Sequence, residues 1–289
     1  MMKHVSAKLF IYIMLCITWL LPVISYSMTA SVDNIANTSE YTIKFHGRIV
    51  EGDFDKLIKI IKENKQLPAW INISSQGGSA TEAIKIAEFI REALIPVNAI
   101  DRCDSSCFYI WIAAVERNVF GEDIDYETTN ISGNEDATVI GLHRPYYDKS
   151  YFSRLSAKKK KEKYKELESL VRDFLKKMNV PEKWIDEMMM HSSEQVKLVT
   201  YREIAEEFGF ASHSFEEWIL TKCPIDEEAL LFGKAELIMG TRTGRNDRYK
   251  GDLSKAQRNE LKIKYLNYIS CKNQAVKSSQ AETLSKLVE

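Results

Sequence analysis

The chain is 289 residues long, 45% hydrophobic and 28% charged, with 40 basic and 41 acidic side chains for a net charge of −1. A balance this close to neutral argues against a nucleic-acid partner. The length provides for one good-sized core with a small appendage.

The first residues carry Lys3 and Lys8 ahead of an apolar run from Leu9 to Ile24, the basic and hydrophobic regions of a secretory signal peptide. Ser25 and Ser27 supply the small side chains that flank a cut before Met28. Residues 1–27 are therefore expected to be a signal peptide and the mature protein to be periplasmic or secreted. A run of roughly 16 residues is short for a membrane span of about 20; the alternative is an uncleaved anchor, the one case in which the chain would meet a membrane. Cleavage removes two lysines and no acid, leaving 38 basic against 41 acidic groups. Cys16 leaves with the peptide. Cys103, Cys107, Cys223 and Cys271 remain, and in an oxidising compartment an even count reads as two disulfides. Local pairing, Cys103 with Cys107 and Cys223 with Cys271, is the natural choice among three.

Residues 28–40 are small and polar without periodicity, and are expected to be a flexible tether. From Tyr41 the pattern becomes regular. Tyr41, Ile43 and Phe45 alternate as in a strand, Gly47 interrupts, and Phe54, Leu57, Ile58 and Ile61 recur at helical spacing. The unit repeats, with a strand over 69–74, a turn at Gly77-Gly78 and a helix over 80–94. A third round starts at Val97. Strands alternating with helices predict an α/β domain with a mostly parallel sheet, over residues 41–211. The next helix, 106–114, is apolar on every side and is expected to be buried.

Two short strands follow, 118–120 and 138–142, separated by residues 121–136, whose six acids mark a solvated insertion. Beyond Pro145 come a charged helix over 156–178 with Leu167, Leu170, Val171 and Phe174 as its apolar stripe, a shorter one ending at Met190, and another over 200–208. The lysines 158–161 read as a solvated face, interleaved with Glu162, Glu166 and Glu168. Strands are expected to stop by Ala211. Residues 212–289 are expected to form a small, disulfide-stapled, mainly helical C-terminal extension.

Three turns that follow strands carry the chemistry-bearing residues, which is where an α/β domain builds its site. Gly77-Gly78 allows the backbone to approach a ligand and aim amides at it, although a glycine pair alone is more often a tight turn. Ser105 opens the buried helix, where free amides stabilise negative charge; serving as an N-cap is its ordinary alternative. His143 ends an apolar strand and is the type of base a serine needs. His46 and His191 have no partner at ligand spacing, and Met188-Met189-Met190 reads as a packed helix end, with a peptide-binding lip as its alternative. A Cys103–Cys107 bridge would pin Ser105; two buried thiols, or Cys107 as a nucleophile or ligand, are the alternatives. No metal site and no cofactor are expected.

These residues carry a resemblance. The stretch from Ile71 to Ala80 resembles the strand, glycine turn and helix of Clp-type serine peptidases. Ser105 to Ala114 is similar to their nucleophile helix, and Ile140 to Pro145 to the strand end that bears their histidine. Cys103-Asp104-Ser105-Ser106-Cys107 fits an exported Clp-like branch with a Cys-x-Ser-x-Cys segment. The resemblance implies a Clp/crotonase-like fold of repeated β-α units and an ATP-independent serine peptidase or serine hydrolase. In it Ser105 is the nucleophile, His143 the general base, and the amides of Gly78 and Ser106 the oxyanion hole. Where the family carries its third, acidic member this chain has Val196-Lys197, and Glu194 is the nearest acid. The rival reading is an inactive Clp-like domain that binds peptides or proteins in the same groove. A third keeps the crotonase-type fold and holds an acyl ligand at the glycine turn, without any adenine-binding signature. Peptide or protein is thus the expected partner, and the helix over 156–178 lies where that family self-associates, making a homo-oligomer an expectation to test.

Overall fold

The computed structural model describes residues 27–120, 138–147, 149–192, 194–239 and 253–288. The expected signal peptide, apart from Ser27, and the expected insertion 121–136 lie outside the described residues.

One seven-stranded sheet organises the described residues, with the order β1 (Thr29–Asn34), β2 (Tyr41–His46), β3 (Trp70–Ser75), β4 (Val97–Asp104), β6 (Thr138–Leu142), β7 (Lys197–Thr200); β5 (Arg117–Phe120) pairs with β4. The central pairings β2/β3, β3/β4, β4/β5 and β4/β6 are parallel, and the two edge pairings β1/β2 and β6/β7 are antiparallel. The expected mostly parallel α/β sheet is what the chain forms.

Alternation decides which face is buried. Ile43, Ile71 and Val97 are register neighbours, as are Phe45, Ile73 and Ala99, and all are buried. The opposite face carries Lys44, Asn72, Asn98 and Asn118 side by side, with Asn98 hydrogen-bonded to Asn72 (2.9 Å) and Asn118 to Asn98 (3.2 Å). Side chains of period two therefore give this sheet one apolar face. Helices α1 (Asp53–Asn64), α2 (Ala80–Glu92) and α3 (Ser106–Ala113) complete the core with Leu57, Ile61, Ile86, Ile90, Ile110 and Trp111. As expected from its composition, α3 is buried along its whole length. Arg117 closes its far end, donating to the carbonyls of Ile112 (2.7 Å), Gly209 (3.0 Å) and Phe208.

The helix α4 (Lys149–Ser153) leads into α5 (Ala157–Lys177), which buries Leu167, Val171 and Phe174 as expected; Leu170 is exposed and Leu175 is buried in its stead. After α6 (Glu182–Met190) and β7, α7 (Tyr201–Glu203) continues as a π-helical turn (Ile204–Phe208) that ends at Gly209. Thr200 and Glu203 form a reciprocal capping box at its start.

One expectation is corrected. Residues 28–40 are not a free tether: Thr29–Asn34 pairs in register with Tyr41–His46, and Met28 is buried in the core. Sequence periodicity fails here because an edge strand needs backbone partners rather than an apolar face. The strand β7 is likewise a short edge piece that the pattern did not announce.

Helices α8 (His213–Lys222), α9 (Glu227–Met239) and α10 (Lys255–Val288) make up the helical extension. Cys223–Cys271 bonds α10 to the end of α8. Gly233 lets α9 cross α10 closely, since a Cβ there would stand 2.0 Å from the Tyr265 ring. Leu284 and Leu287 pack against the main core, and Gln280 donates to the Leu94 carbonyl at 3.2 Å. The extension is thus fastened to the body by packing and this hydrogen bond, and stapled within itself by its disulfide. No helix among the described residues is long and apolar enough to cross a membrane.

Candidate active site

The strand β4 changes partner along its length. It pairs with β5 as far as Ile100, and with β6 from Cys103 onward. Between these points Asp101 takes φ 57°, and the register with β3 slips. In open α/β sheets ligands bind beyond the carboxyl ends of the strands, where neighbouring strands part. The turns after β3, β4 and β6, which carry Gly77-Gly78, Ser105 and His143, lie at the same end of these parallel strands.

Ser105 joins β4 to α3 with φ 57° and ψ −126°, a conformation that non-glycine residues adopt at a cost of order 1–3 kcal/mol. Several contacts hold it there. Its N–H donates to the Gly141 carbonyl at 2.7 Å, and its carbonyl accepts from Phe108 N at 3.0 Å. The Cys103–Cys107 disulfide spans the turn with Cα atoms 5.2 Å apart and both cysteines fully buried. The bridge expected from the spacing is therefore present. Ser105 holds the N-cap position of α3, but its hydroxyl makes no capping hydrogen bond.

The glycine turn presses directly on this elbow. A Cβ on Gly77 would lie 2.6 Å from Ser105 Cβ and 3.1 Å from Ser106 N; one on Gly78 would lie 2.0 Å from the Ile49 carbonyl oxygen. Both glycines also hold positive φ, so neither position accepts a side chain. Around them the turn is knitted to the loop before α1, with Ile49 N bonded to Gly77 O (3.0 Å) and Ser79 N to Ile49 O (2.9 Å). Among the described residues neither Gly78 N–H nor Ser106 N–H has an acceptor. For Ser106 this follows from its place as the first residue of α3.

His143 stands one residue beyond β6 and is buried. Its Nδ1 lies 2.9 Å from the Arg144 carbonyl oxygen. A carbonyl only accepts, so this bond is made by an Nδ1–H, and a ring with one N–H then has its lone pair on Nε2. Arg144 is held in turn, its N–H donating to the His191 carbonyl at 2.9 Å. The Tyr146 ring lies 5.5 Å from the imidazole.

The candidate acid Glu194 is exposed, in the segment between α6 and β7. The partner that the structure gives to His143 Nδ1 is a main-chain oxygen, which the amino-acid pattern could not reveal. Asp104 was also missed. It is buried beside Ser105, paired with Arg102, and its Oδ1 lies 2.1 Å from where a Cβ on Gly141 would be, with Val196 Cγ1 2.7 Å from the same point. Gly141 thus makes room for a buried carboxylate. His191 acts through its backbone; of the three methionines expected to pack at the helix end, Met188 is buried and Met189 half-buried, whereas Met190 is exposed. No cluster of metal-ligating side chains occurs among the described residues. A cavity of about 610 Å³ lies at the opposite end of the sheet, lined by Trp70, Pro96, Glu116, Gln280 and Leu284 among others, with no part for Ser105 or His143.

No family model matches this chain, and no curated protein matches it. Solved structures that are similar to it include the 1510-N membrane-bound stomatin-specific protease, in a mutant form, at 16% identity and a TM-score of 0.36, covering 63% of this chain and 83% of that one. An enoyl-CoA hydratase from Thermoplasma volcanium is 11% identical with a TM-score of 0.34, covering 86% of this chain and 96% of that one. An enoyl-CoA hydratase from Shewanella pealeana is 8% identical with a TM-score of 0.37, covering 91% and 88%.

Proposed function

We propose that this protein is an exported, ATP-independent serine hydrolase whose substrates are peptides or loosely folded proteins. The observation that carries the reading is Ser105: a non-glycine residue held at φ 57° between a strand and a buried helix, with its hydroxyl left out of the helix cap. A strained elbow of this kind presents a nucleophile to a ligand at the end of a sheet.

In the proposed reaction His143 Nε2 accepts the Ser105 proton as Oγ attacks the substrate carbonyl. The Gly78 and Ser106 amides take the developing oxyanion, and the imidazolium then protonates the leaving amine. Water attacks the acyl-enzyme by the same route in reverse. The Arg144 carbonyl keeps Nδ1 protonated, which is the tautomer this sequence of transfers needs. It stabilises the imidazolium less than a carboxylate does, so turnover slower than that of a full triad is part of the proposal. Two disulfides and the basic-then-apolar N-terminus support an oxidising compartment outside the cytosol, where ATP-driven unfolding has no place.

The test is turnover of a chromogenic ester and an unfolded protein substrate by the chain lacking residues 1–27, without ATP. Ser105→Ala and His143→Ala should each reduce turnover by about a thousandfold or more. Wild-type turnover equal to that of Ser105→Ala would leave a groove that binds peptides without cleaving them.

A further inference from the structure

The helix α3 is apolar throughout except for its first residue, Ser106. That side chain is buried, and its Oγ is one of four buried side-chain polar atoms without a hydrogen-bond partner among the described residues. Alanine or cysteine would fill the same space without leaving a hydroxyl unpaired, and an unpaired buried hydroxyl is destabilising. A hydroxyl kept at such a position implies an acceptor that arrives with a ligand.

The location of Ser106 indicates which ligand atom that is. At the first position of a helix the Cα–Cβ bond tilts toward the amino end, here the end against which Gly77 packs, 3.1 Å from Ser106 N measured from a Cβ built on Gly77. The amide and the side chain of one residue therefore both face the amino end of α3, beside the Ser105 elbow. We propose that the Ser106 hydroxyl is a third donor to the acyl oxygen of the substrate, working with the Gly78 and Ser106 amides. It donates a hydrogen bond and keeps its proton, so the balance of the acyl transfer is unchanged. The proposal rests on the serine-hydrolase reading and assigns to its site a group beyond the two amides.

The experiment compares wild type, Ser106→Ala and Ser105→Ala in two readouts: the second-order rate of labelling by a fluorophosphonate, whose phosphoryl oxygen occupies the acyl-oxygen position, and the thermal midpoint. Ser106→Ala should slow labelling by about ten- to a hundredfold, less than the loss of a sole oxyanion donor. Its midpoint should stay equal to wild type or rise, because no bond within the protein is lost. Labelling that is unchanged overturns the proposal, and so does slower labelling with a lowered midpoint, which would mean the hydroxyl has a structural partner. Labelling that persists in Ser105→Ala overturns it as well, by making Ser106 the nucleophile. A wild type that takes no label at all overturns the hydrolase reading itself, a result distinct from the other three.

Discussion

Ser105 shows how much a single residue can be made to carry against its own preference. Its φ of 57° is held by the bond to Gly141, the pressure of Gly77 and the Cys103–Cys107 bridge. Removing the side chain relieves the strain only if Cβ goes too. Ser105→Gly should therefore be more stable than Ser105→Ala by about 1–2 kcal/mol in chemical denaturation, with both equally inactive. Equal stabilities would mean the elbow is unstrained. The serine, the glycine pair and the histidine were legible in the sequence because each follows a strand, and strand ends are countable from alternation. The group on His143 Nδ1 was not, since a main-chain oxygen belongs to whatever residue happens to fold there and leaves no letter behind. Asp104 escaped for a related reason: its burial depends on Gly141 across the sheet, 37 positions along the chain.

The elements that position the site rest on polar groups as much as on packing. Glu82, buried in α2, accepts from Gly52 N (3.0 Å) and Phe54 N (2.8 Å) and pairs with Lys85 (3.0 Å). It thereby caps α1 and fixes the loop that backs the glycine turn. Burial alone would raise its pKa, but the bonds from Phe54, Lys85 and Gly52 together hold it below the ordinary glutamate value. A carboxylate whose folded pKa is depressed contributes stability above its unfolded value, and that contribution fades as pH falls through the folded one. Glu82→Ala should cost about 1–3 kcal/mol at neutral pH and lose less further stability on acidification than wild type, as urea unfolding at stepped pH would record. An equal acid dependence in the two proteins would remove Glu82 from this role. At the same scale the repeated strand–turn–helix units were readable from the switch between period-two and helical spacing. The edge strands β1 and β7 were not, because they pair through backbone and bury little.

Across the whole molecule the two disulfides divide the work. Cys223–Cys271 closes a separation of 48 residues and Cys103–Cys107 one of 4. On chain-entropy grounds the first is worth about 4 kcal/mol and the second about 2. Replacing Cys223 and Cys271 by alanine should loosen the helical extension, measurable as faster proteolysis within α8–α10, while leaving reactivity at Ser105 within about twofold, since the elbow contacts lie in the sheet domain. Replacing Cys103 and Cys107 should do the reverse, lowering Ser105 reactivity by about tenfold or more for a smaller loss of stability, because displacements on the order of 1 Å at a reacting centre are costly. If the two variants behave alike, the bridges share one global role. The central claim, that Ser105 is a nucleophile activated by His143, is tested most directly by treating the protein with a fluorophosphonate and locating the adduct by peptide mass spectrometry. The account predicts a single adduct on the peptide containing Ser105, abolished in Ser105→Ala and strongly reduced in His143→Ala; an absent adduct, or one on another residue, would contradict it.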